Sequence, residues 1–547
     1  MLLNWVSIGD PLRCGHCIII FPSFLAYYLL FYKDLCLHGI GRTAHILCFS
    51  PQLLPGSSKN KCSSGSTAPR LSSRPAAFCS WLRVPMKGLV VFLLALVLAD
   101  AIKGSKASDG YCSYKKKALA QRPHSVTITE FGAVGDGVTL NTVAFQNAVF
   151  YLRSFADKGG AQLYVPKGIW LTGSFSLISH LTLFLDKGAV IIGTQDVSQY
   201  LIVEPLPSYG RGIELPGARY QSLINVNNLT DVVITGDNGT IDGKGSGWWD
   251  SFRSHTLNYS RPHLVELVHS NDIMISNLTF LNPPAWAIHP VYCRNVEIQN
   301  VTIDAPSDSP FTDGIVPDSS TGVCIEESSI SVGHDAISLK SGWDEYGISY
   351  SKPTSNIHIT KVNLQSPLGS ALSFGSEMSG GISVVHADHL RIHDSRIGIG
   401  FKTTRGRGGF MQDIFVTGVD MLRVQTGIHF TGNDGRHADD NYDPDALPIV
   451  RHVTIKNVIG TSVFAAGALS GIERDPFTAI CLSNINITTS SSEASAVGSW
   501  TCSDVSGFSE DVFPEPCPEL QVHTSNSTLT CYSVDDPNPN YTLLASE

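Results

Sequence analysis

The sequence predicts an all-β protein whose short strands wind into a parallel β-helix. Three observations indicate this fold: segments repeat along the middle of the chain, apolar and polar residues alternate within each segment, and helical patterns are scarce. The composition agrees, because 49 glycines and a charged fraction of only 16% favour strands and turns over helix bundles. The 547 residues are enough for a large core.

Six segments carry the repeat, and in each of them β-branched residues alternate with polar ones while an Asn, Lys, Glu or Gly lies midway. The segments are SNDIMISNLTF (270–280), RNVEIQNVTI (294–303), TGVCIEESSI (321–330), SNIHITKVNL (355–364), QDIFVTGVDM (412–421) and RHVTIKNVIG (451–460). The period of two predicts strands with one buried face. Matching positions recur after 23, 27 and 34 residues, from Ile273 through Val296 and Val323 to Ile357. Repeats of about 20–50 residues are typical of a solenoid, in which each coil stacks on the one before it.

Both ends of the solenoid differ from its middle. Apolar residues at helical spacing predict one helix over 141–155, which we expect to cap the N-terminal end and cover its strand edge. The repeat fades near residue 500, so we predict a β-helix domain over 108–500 and a cysteine-containing C-terminal tail over 501–547.

The N-terminal region indicates targeting rather than fold. Residues 86–107 resemble a secretory signal peptide, with a Met, one Lys, a short apolar run and a small-residue cleavage site. Residues 1–85 are then an upstream extension that is not part of the mature protein. The alternative is a membrane anchor over Cys17–Tyr32, but 16 apolar residues interrupted by Pro22 fall short of the ~20 that a spanning helix needs. We therefore expect no stable membrane insertion.

Sequons and cysteines also indicate secretion. Eight Asn-x-Ser/Thr sequons are present, at Asn228, Asn238, Asn258, Asn277, Asn300, Asn486, Asn526 and Asn540. Seven cysteines follow Met86, so an oxidising compartment leaves one odd thiol. Pairing within Cys502, Cys517 and Cys531 is expected to staple the tail, with the two partners left open.

The charge distribution excludes general nucleic-acid binding. The formal net charge is −10, and residues 1–85 carry eight Lys and Arg against two Asp, so −16 falls on the remainder. Nucleic-acid binding needs a basic footprint instead. No group of His and Cys has the spacing of metal ligands, so we expect no metal and no cofactor.

Stacking of coils predicts where chemistry occurs. Asp313 and Asp335 lie 22 residues apart, about one coil, and His334 is next to Asp335. Residues at matching positions on adjacent coils are roughly 4.8 Å apart, so these three side chains are expected to share one face. Later coils are expected to add polar and basic residues to the same groove, namely Ser370, Glu377, Lys402, Arg405 and Arg407.

From about Ser125 to Cys502 the chain resembles the polygalacturonases of glycoside hydrolase family 28, particularly their plant branch. The motifs that carry the resemblance are FGAVGDGVTLNTVAFQNAV, GTIDGKGSGWWD, NPPAWAIHP, DSPFTDGIVPDSS, SVGHDAISLKSGWDEYG and SFGSEMSGGI, in that order. The resemblance implies a right-handed parallel β-helix, a galacturonan substrate and hydrolysis with inversion at the sugar carbon.

Each of the family's four motifs carries over with at least one replacement. Its Asn-Thr-Asp motif appears as Phe311-Thr312-Asp313, and its Gly-Asp-Asp motif as Gly333-His334-Asp335. Its Gly-His-Gly motif falls on Gly369-Ser370-Ala371, and its Arg-Ile-Lys motif on Gly400-Phe401-Lys402, with Arg405 or Arg407 to stand in for the lost arginine. His334 thus occupies the position that the resemblance assigns to the general acid.

These observations predict a secreted, monomeric pectin hydrolase of the cell wall. Inverting hydrolysis needs a proton donor and a carboxylate that activates water. Asp313 and Asp335 suit the carboxylate role, while His334 suits the donor role because two neighbouring carboxylates favour an imidazolium. Lys402, Arg405 and Arg407 suit a polyanionic polymer. Two alternatives stay open: a pectin-binding protein that has lost turnover, and a hydrolase of rhamnogalacturonan or xylogalacturonan.

Overall fold

The computed structural model describes residues 36–39, 44–47, 122–489 and 500–520. Contacts divide the chain into two units, residues 1–109 and 110–547. In the first unit, β1 (Cys36–Gly39) and β2 (Ala44–Leu47) form an antiparallel hairpin. The signal peptide predicted over 86–107, the rest of the extension and the alternative anchor over Cys17–Tyr32 lie outside the described residues. Among the helices that the structure describes, none is long and apolar enough to cross a bilayer.

The second unit is built from strands with three short α-helices in its described residues. The helices are α1 (Thr142–Leu152), α2 (Ser246–Arg253) and α3 (Asp344–Tyr350). The strands as far as residue 304 are β3 (His124–Thr127), β4 (Asp136–Leu140), β5 (Ala161–Val165), β6 (Gly168–Thr172), β7 (Phe175–Ser176), β8 (Leu181–Leu185), β9 (Ala189–Gly193), β10 (Ile202–Val203), β11 (Arg219–Tyr220), β12 (Ile224–Asn227), β13 (Thr230–Gly236), β14 (Gly239–Asp242), β15 (Val265–Val268), β16 (Asn271–Ser276), β17 (Leu278–Leu281), β18 (Ile288–Val291), β19 (Arg294–Gln299) and β20 (Thr302–Asp304). The later strands are β21 (Thr321–Glu326), β22 (Ser329–Ser331), β23 (Ile337–Leu339), β24 (Thr354–Thr360), β25 (Asn363–Gln365), β26 (Ser370–Phe374), β27 (Ile382–Lys402), β28 (Phe410–Thr431), β29 (Ile449–Val463), β30 (Ala465–Ser470), β31 (Phe477–Thr489), β32 (Thr501–Ser503) and β33 (Val505–Phe513).

Apart from the antiparallel pair of β10 and β11, these strands form three parallel sheets that wind into a right-handed β-helix, which confirms the predicted fold. The first sheet runs from β3 through β5, β8, β13, β16, β19, β21 and β24. The second sheet contains β9, β14, β17, β20, β22 and β25. The third sheet contains β12, β15 and β18, and continues through β23 and β26. The long strands β27 and β28 pass through all three sheets by bending twice.

The residue that lies midway in each repeat is the bend between the first and second sheets. Asn277, Asn300, Glu327, Lys361 and Asn457 all have left-handed backbone conformations, with φ between 50° and 57°. Asparagine accepts this conformation more readily than most residues, which explains its recurrence there. The predicted repeat is therefore a strand, a left-handed bend and a second strand.

The core lies inside the coils. It consists of inward-facing side chains that stack on the equivalent side chains of the neighbouring coils. One ladder places Ile273, Val296, Val323 and Ile357 in direct register, all 2% exposed or less. Burial of each such side chain contributes roughly 1.5–3 kcal/mol relative to its exposure. The periodic β-branched pattern of the sequence is therefore the core itself.

The two ends of the β-helix differ. Helix α1 buries Phe145, Ala148 and Leu152, which confirms the predicted N-terminal cap. At the other end the ladder extends past Trp500, because β32 and β33 pair in parallel with β30 and β31. The repeat thus continues to Phe513, beyond the point where the sequence pattern fades.

The described cysteines fit an oxidised protein. Cys502 and Cys517 form a disulfide in the C-terminal region, which settles one of the pairings left open by the sequence. Cys324 and Cys481 are disulfide-bonded as well. Among the described residues Cys293 is a free thiol, and it is buried.

Candidate active site

The predicted catalytic residues converge where strands of the third sheet begin. Asp313 precedes the bridge segment at Ile315, and His334 and Asp335 precede β23. Backbone bonds join these coils, because the Gly314 amide donates to the Asp335 carbonyl at 3.0 Å. Stacking of coils therefore brings the three side chains together as predicted.

Asp313 holds the imidazole of His334. Oδ1 of Asp313 lies 2.8 Å from Nδ1 of His334 and accepts the Asp335 backbone amide at 3.1 Å. Asp313 is buried, whereas the side chain of His334 is 28% exposed at the groove. The bond at Nδ1 fixes the ring, and it leaves Nε2 as the nitrogen that is available to a substrate.

Asp335 is fully buried and fully engaged. Its Oδ2 accepts from Nζ of Lys402 at 2.5 Å, and its Oδ1 accepts the Ser370 backbone amide at 2.8 Å. Burial alone would raise the pKa of Asp335, but the charges of Lys402, His334 and Lys340 hold that pKa far below its usual range. Asp335 is therefore a carboxylate at weakly acidic and neutral pH.

The pKa of the His334 imidazole is shifted upward, whereas that of Asp335 is shifted downward. Burial alone would lower the pKa of His334, but Asp335 and Asp313 outweigh it and raise this pKa above its ordinary value. His334 is therefore a stabilised imidazolium between two carboxylates, which is the protonation state that a proton donor needs.

A second ion pair lies beside the first. Nζ of Lys340 donates to Oε2 of Glu377 at 2.5 Å and lies 5.5 Å from the ring centre of Trp286. Burial would raise the pKa of Glu377, but Lys340 and Arg407 lower it to about 2. Glu377 is thus a carboxylate that is neutralised by Lys340, and it does not serve as a proton donor.

Two of the residues that differ from the family motifs, Ser370 and Gly400, are neighbours on adjacent coils. Ser370 contributes its backbone amide to Asp335, while its hydroxyl is buried and finds no partner among the described residues. A Cβ atom at Gly400 would lie only 2.6 Å from that hydroxyl oxygen. The glycine in place of the family's arginine therefore leaves room for the Ser370 side chain.

The structure does not bring the two predicted arginines to the groove. Arg405 is half exposed and its Nη2 lies 3.5 Å from Asp445. Arg407 is fully buried, where Nη1 donates to Asp344 at 2.5 Å and Nη2 donates to the Arg436 carbonyl at 3.1 Å. Arg407 thus supports the loop that contains Arg436 instead of contacting a ligand.

These residues lie in a groove of about 1430 Å³. Its basic side chains are Arg211, Lys340, Arg396, Lys402 and Arg436, accompanied by His334, His429 and His437. Aromatic rings also line it, from Phe252, Trp286, Phe311 and Trp343. Such a mixture of cations and rings suits a polymer of acidic sugars.

The third sheet also has buried polar contacts beside the groove. There the third sheet presents Glu266 and Asp318, and both side chains are covered from above. Nη1 of Arg219 donates to both oxygens of Glu266 at 2.7 and 2.8 Å, and the Tyr209 hydroxyl donates to Asp318 at 2.6 Å. On the C-terminal side the groove continues over Ser370 and Lys402 to His429.

Two groups in this region have the composition of metal sites. One is Asp313, His334 and Asp335, and the other is His263, Glu266 and His289. In the first, Lys402 already neutralises Asp335, and in the second Arg219 binds both oxygens of Glu266. In both groups a carboxylate is therefore already engaged in an ion pair with a basic side chain.

Several groove residues escaped the sequence analysis. Arg396 lies in β27, six residues before Lys402, and it lines the groove that Arg405 and Arg407 do not reach. Lys340 follows β23 directly, and it pairs with Asp318 of the preceding coil. Arg211 and Arg436 come from long loops whose path no local pattern specifies.

Comparisons with known proteins agree with this site. Residues 214–508 match the family described as glycosyl hydrolases family 28, a range that includes every catalytic candidate. A probable polygalacturonase of Vitis vinifera is 48% identical over 445 residues, covering 81% of this chain and 90% of that protein. A probable polygalacturonase of Arabidopsis thaliana is 30% identical over 433 residues, covering 77% and 87%.

Solved structures give the same result. The crystal structure of an exopolygalacturonase from Thermotoga maritima matches with a TM-score of 0.58 and 28% identity, covering 66% of this chain and 87% of that one. A polygalacturonase from Erwinia carotovora shares the fold, with a TM-score of 0.56 and 22% identity over 71% and 97% of the two chains. The chain therefore belongs to glycosyl hydrolases family 28, the polygalacturonase family of glycosidases.

Proposed function

We propose that this protein hydrolyses α-1,4-galacturonosyl linkages of pectin with inversion, and that His334 is its proton donor. The observation that carries the proposal is the imidazole of His334, held at Nδ1 by Asp313 beside the ionised Asp335. Donor and carboxylate thus lie on one groove floor in the protonation states that acid–base hydrolysis needs.

The reaction then runs as a single displacement. A water molecule forms a bond to the anomeric carbon as the bond from that carbon to the glycosidic oxygen breaks. Nε2–H of His334 gives its proton to the departing oxygen, and Asp335 takes one proton from the water. Asp313 positions the ring, and Lys402 keeps Asp335 ionised before the proton arrives.

The substrate class follows from charge. Arg211, Arg396, Lys402 and Arg436 line the groove of a protein whose formal net charge is −10. Lys402 is paired with Asp335, but Arg211, Arg396 and Arg436 form no salt bridge among the described residues and are available to a polyanion, and galacturonan carries one carboxylate per sugar. The same groove also favours hydrolysis over simple binding, because a binding protein does not need the buried ion pair of Asp335 and Lys402.

We also infer that the protein is secreted to the cell wall and acts there as a monomer. Six of the predicted sequon asparagines lie in the described residues and all are exposed: Asn228, Asn238, Asn258, Asn277, Asn300 and Asn486. Disulfide bonds at Cys324, Cys481 and Cys502 support an oxidising compartment.

The test is reducing-end release from polygalacturonate at pH 4 to 7 by protein expressed from Met86, with Asp335→Asn as the control. Release that disappears in the control supports the hydrolase. Retained binding to the polymer without release would overturn it in favour of a pectin-binding protein. Rhamnogalacturonan and xylogalacturonan assayed in parallel distinguish hydrolases of those polymers.

A further inference from the structure

A cluster outside the groove unites two histidines of successive coils. His358 in β24 and His386 in β27 are direct partners in the parallel ladder of the first sheet. Their imidazole rings stack with centroids 5.2 Å apart and planes 25° from parallel. Stacking of this kind points equivalent nitrogens of both rings in a common direction.

A carboxylate lies where the two rings converge. Asp388 is two residues beyond His386, and therefore on the same side of the strand. Its Oδ2 lies 3.2 Å from Nε2 of His358 and 3.7 Å from Nε2 of His386. In a tetrahedral site with metal–ligand bonds of 2.0–2.1 Å, ligand atoms are separated by roughly 3.3 Å, which falls between these two distances.

The carboxylate is oriented by its other oxygen. Oδ1 of Asp388 accepts from Oγ1 of Thr360 at 2.5 Å and lies 2.5 Å from Nδ1 of His389. Metal ligands are commonly fixed by such outer partners. The side chains of His358, His386 and Asp388 are 15%, 23% and 13% exposed, so the cluster is sheltered and still reachable from solvent.

We propose that His358, His386 and Asp388 form a binding site for a divalent transition metal, with zinc as the best match. Two imidazoles and one carboxylate are the donor set that zinc and its neighbours prefer over calcium or magnesium, and a water completes the tetrahedron. Because the ligands come from two coils, the ion joins β24 to β27 and stabilises their stacking. The site is on the first sheet, whereas catalysis occurs on the third, so the ion takes no part in hydrolysis.

Coil stacking creates this site from residues that are distant in sequence. His358 and Asp388 are 30 residues apart, and His386 lies 28 residues after His358. A search for ligand spacing along the sequence finds no metal site for this reason. The rival explanation is a plain hydrogen-bond network of imidazolium groups on Asp388, which has no affinity for metal.

The experiment is titration calorimetry of the intact protein with zinc chloride at pH 7, after treatment with EDTA and dialysis and with no pectin present. We expect one equivalent to bind, and affinity to fall at least tenfold in His386→Gln, His358→Gln and Asp388→Asn. His393→Gln is the matched control, since His393 lies on β27 and its Nδ1 contacts Asp394 at 2.9 Å instead.

Thermal unfolding gives a second readout that is independent of activity. A 100-fold excess of zinc over the wild-type Kd should raise Tm by a few degrees in the wild type and in the control, and by at most about half as much in the three ligand variants. If one ligand variant fails to fold, the other two still decide the matter. The absence of saturable zinc binding, or equal binding in the ligand variants, would overturn the proposal.

Discussion

Replacement of His334 tests the proposed proton donor most directly. His334→Ala removes the imidazole but leaves Asp335 with Lys402 and the Ser370 amide, so the floor of the groove keeps its ion pair. Loss of a general acid slows such reactions by about 100- to 10,000-fold. We expect kcat to fall within that range, because water that fills the vacated space remains a weak proton donor.

His334→Asp should recover part of the activity, but only under acidic conditions. The new carboxyl group would face Asp313 and Asp335, and this like-charge environment favours its protonated form. Its ordinary pKa of about 4 is nevertheless well below that of histidine. We therefore expect activity near pH 4 that is lost by about pH 6.

The wild type should stay active at higher pH than His334→Asp. The pKa of His334 is raised, so the donor stays protonated in weak acid and loses its proton as pH rises through that higher value. The pKa of Asp335 is far below its usual range, so this carboxylate is ionised throughout. Activity should therefore persist in weak acid and decline as pH rises through the raised pKa of His334.

The assay is initial rates of reducing-end release between pH 3 and 9 for the wild type, His334→Ala and His334→Asp. His452→Ala is the matched control, because His452 faces Asp413 on the outer surface at 3.3 Å. Equal rates for the wild type and His334→Ala would refute the donor role. A His334→Asp profile that coincides with the wild-type profile would refute it as well.

Two further predictions concern stability. Arg407→Leu removes the guanidinium that pairs with the buried carboxylate of Asp344 and leaves His437 and the Ala438 amide as its partners, so the free energy of unfolding should fall by about 3–5 kcal/mol in urea denaturation, and a change below 1 kcal/mol would contradict this. Cys502→Ser opens the disulfide with Cys517, whose 15-residue separation corresponds to about 3 kcal/mol, so Tm should fall in calorimetry while an unchanged Tm would exclude a stabilising bond.

The fold was predictable because each coil of a β-helix repeats the same pattern of buried and bend residues in the sequence. The inward ladder of Ile273 and Val296 and the bend residues Asn277 and Asn300 all repeat with the coil. The C-terminal limit was harder to see, since β32 and β33 hold their places by pairing with earlier strands and carry little of the pattern themselves.

The site was predictable where residues lie next to strands, and less so where they lie on loops. One coil separates Asp313 from Asp335, so their proximity followed from the repeat. The path from Lys402 through Arg407 leaves the third sheet and turns into the interior, where Arg407 meets Asp344. A basic cluster in the sequence is therefore compatible with a buried structural role, and only tertiary contacts distinguish the two.

His334 stands where the family motif has an aspartate, and we expect it to keep the role of proton donor. The electrostatic reason is the opposite one. Three carboxylates on one floor cannot all ionise, so an aspartate at this position becomes a donor because its neighbours repel a third negative charge. An imidazole becomes a donor because the same neighbours, Asp313 and Asp335, attract its positive charge. In both cases the two retained aspartates supply the field, and Lys402 keeps Asp335 ionised in the resting enzyme. A histidine at this position therefore extends the acid's working range toward neutral pH, which is the direction that the wild-type profile should show.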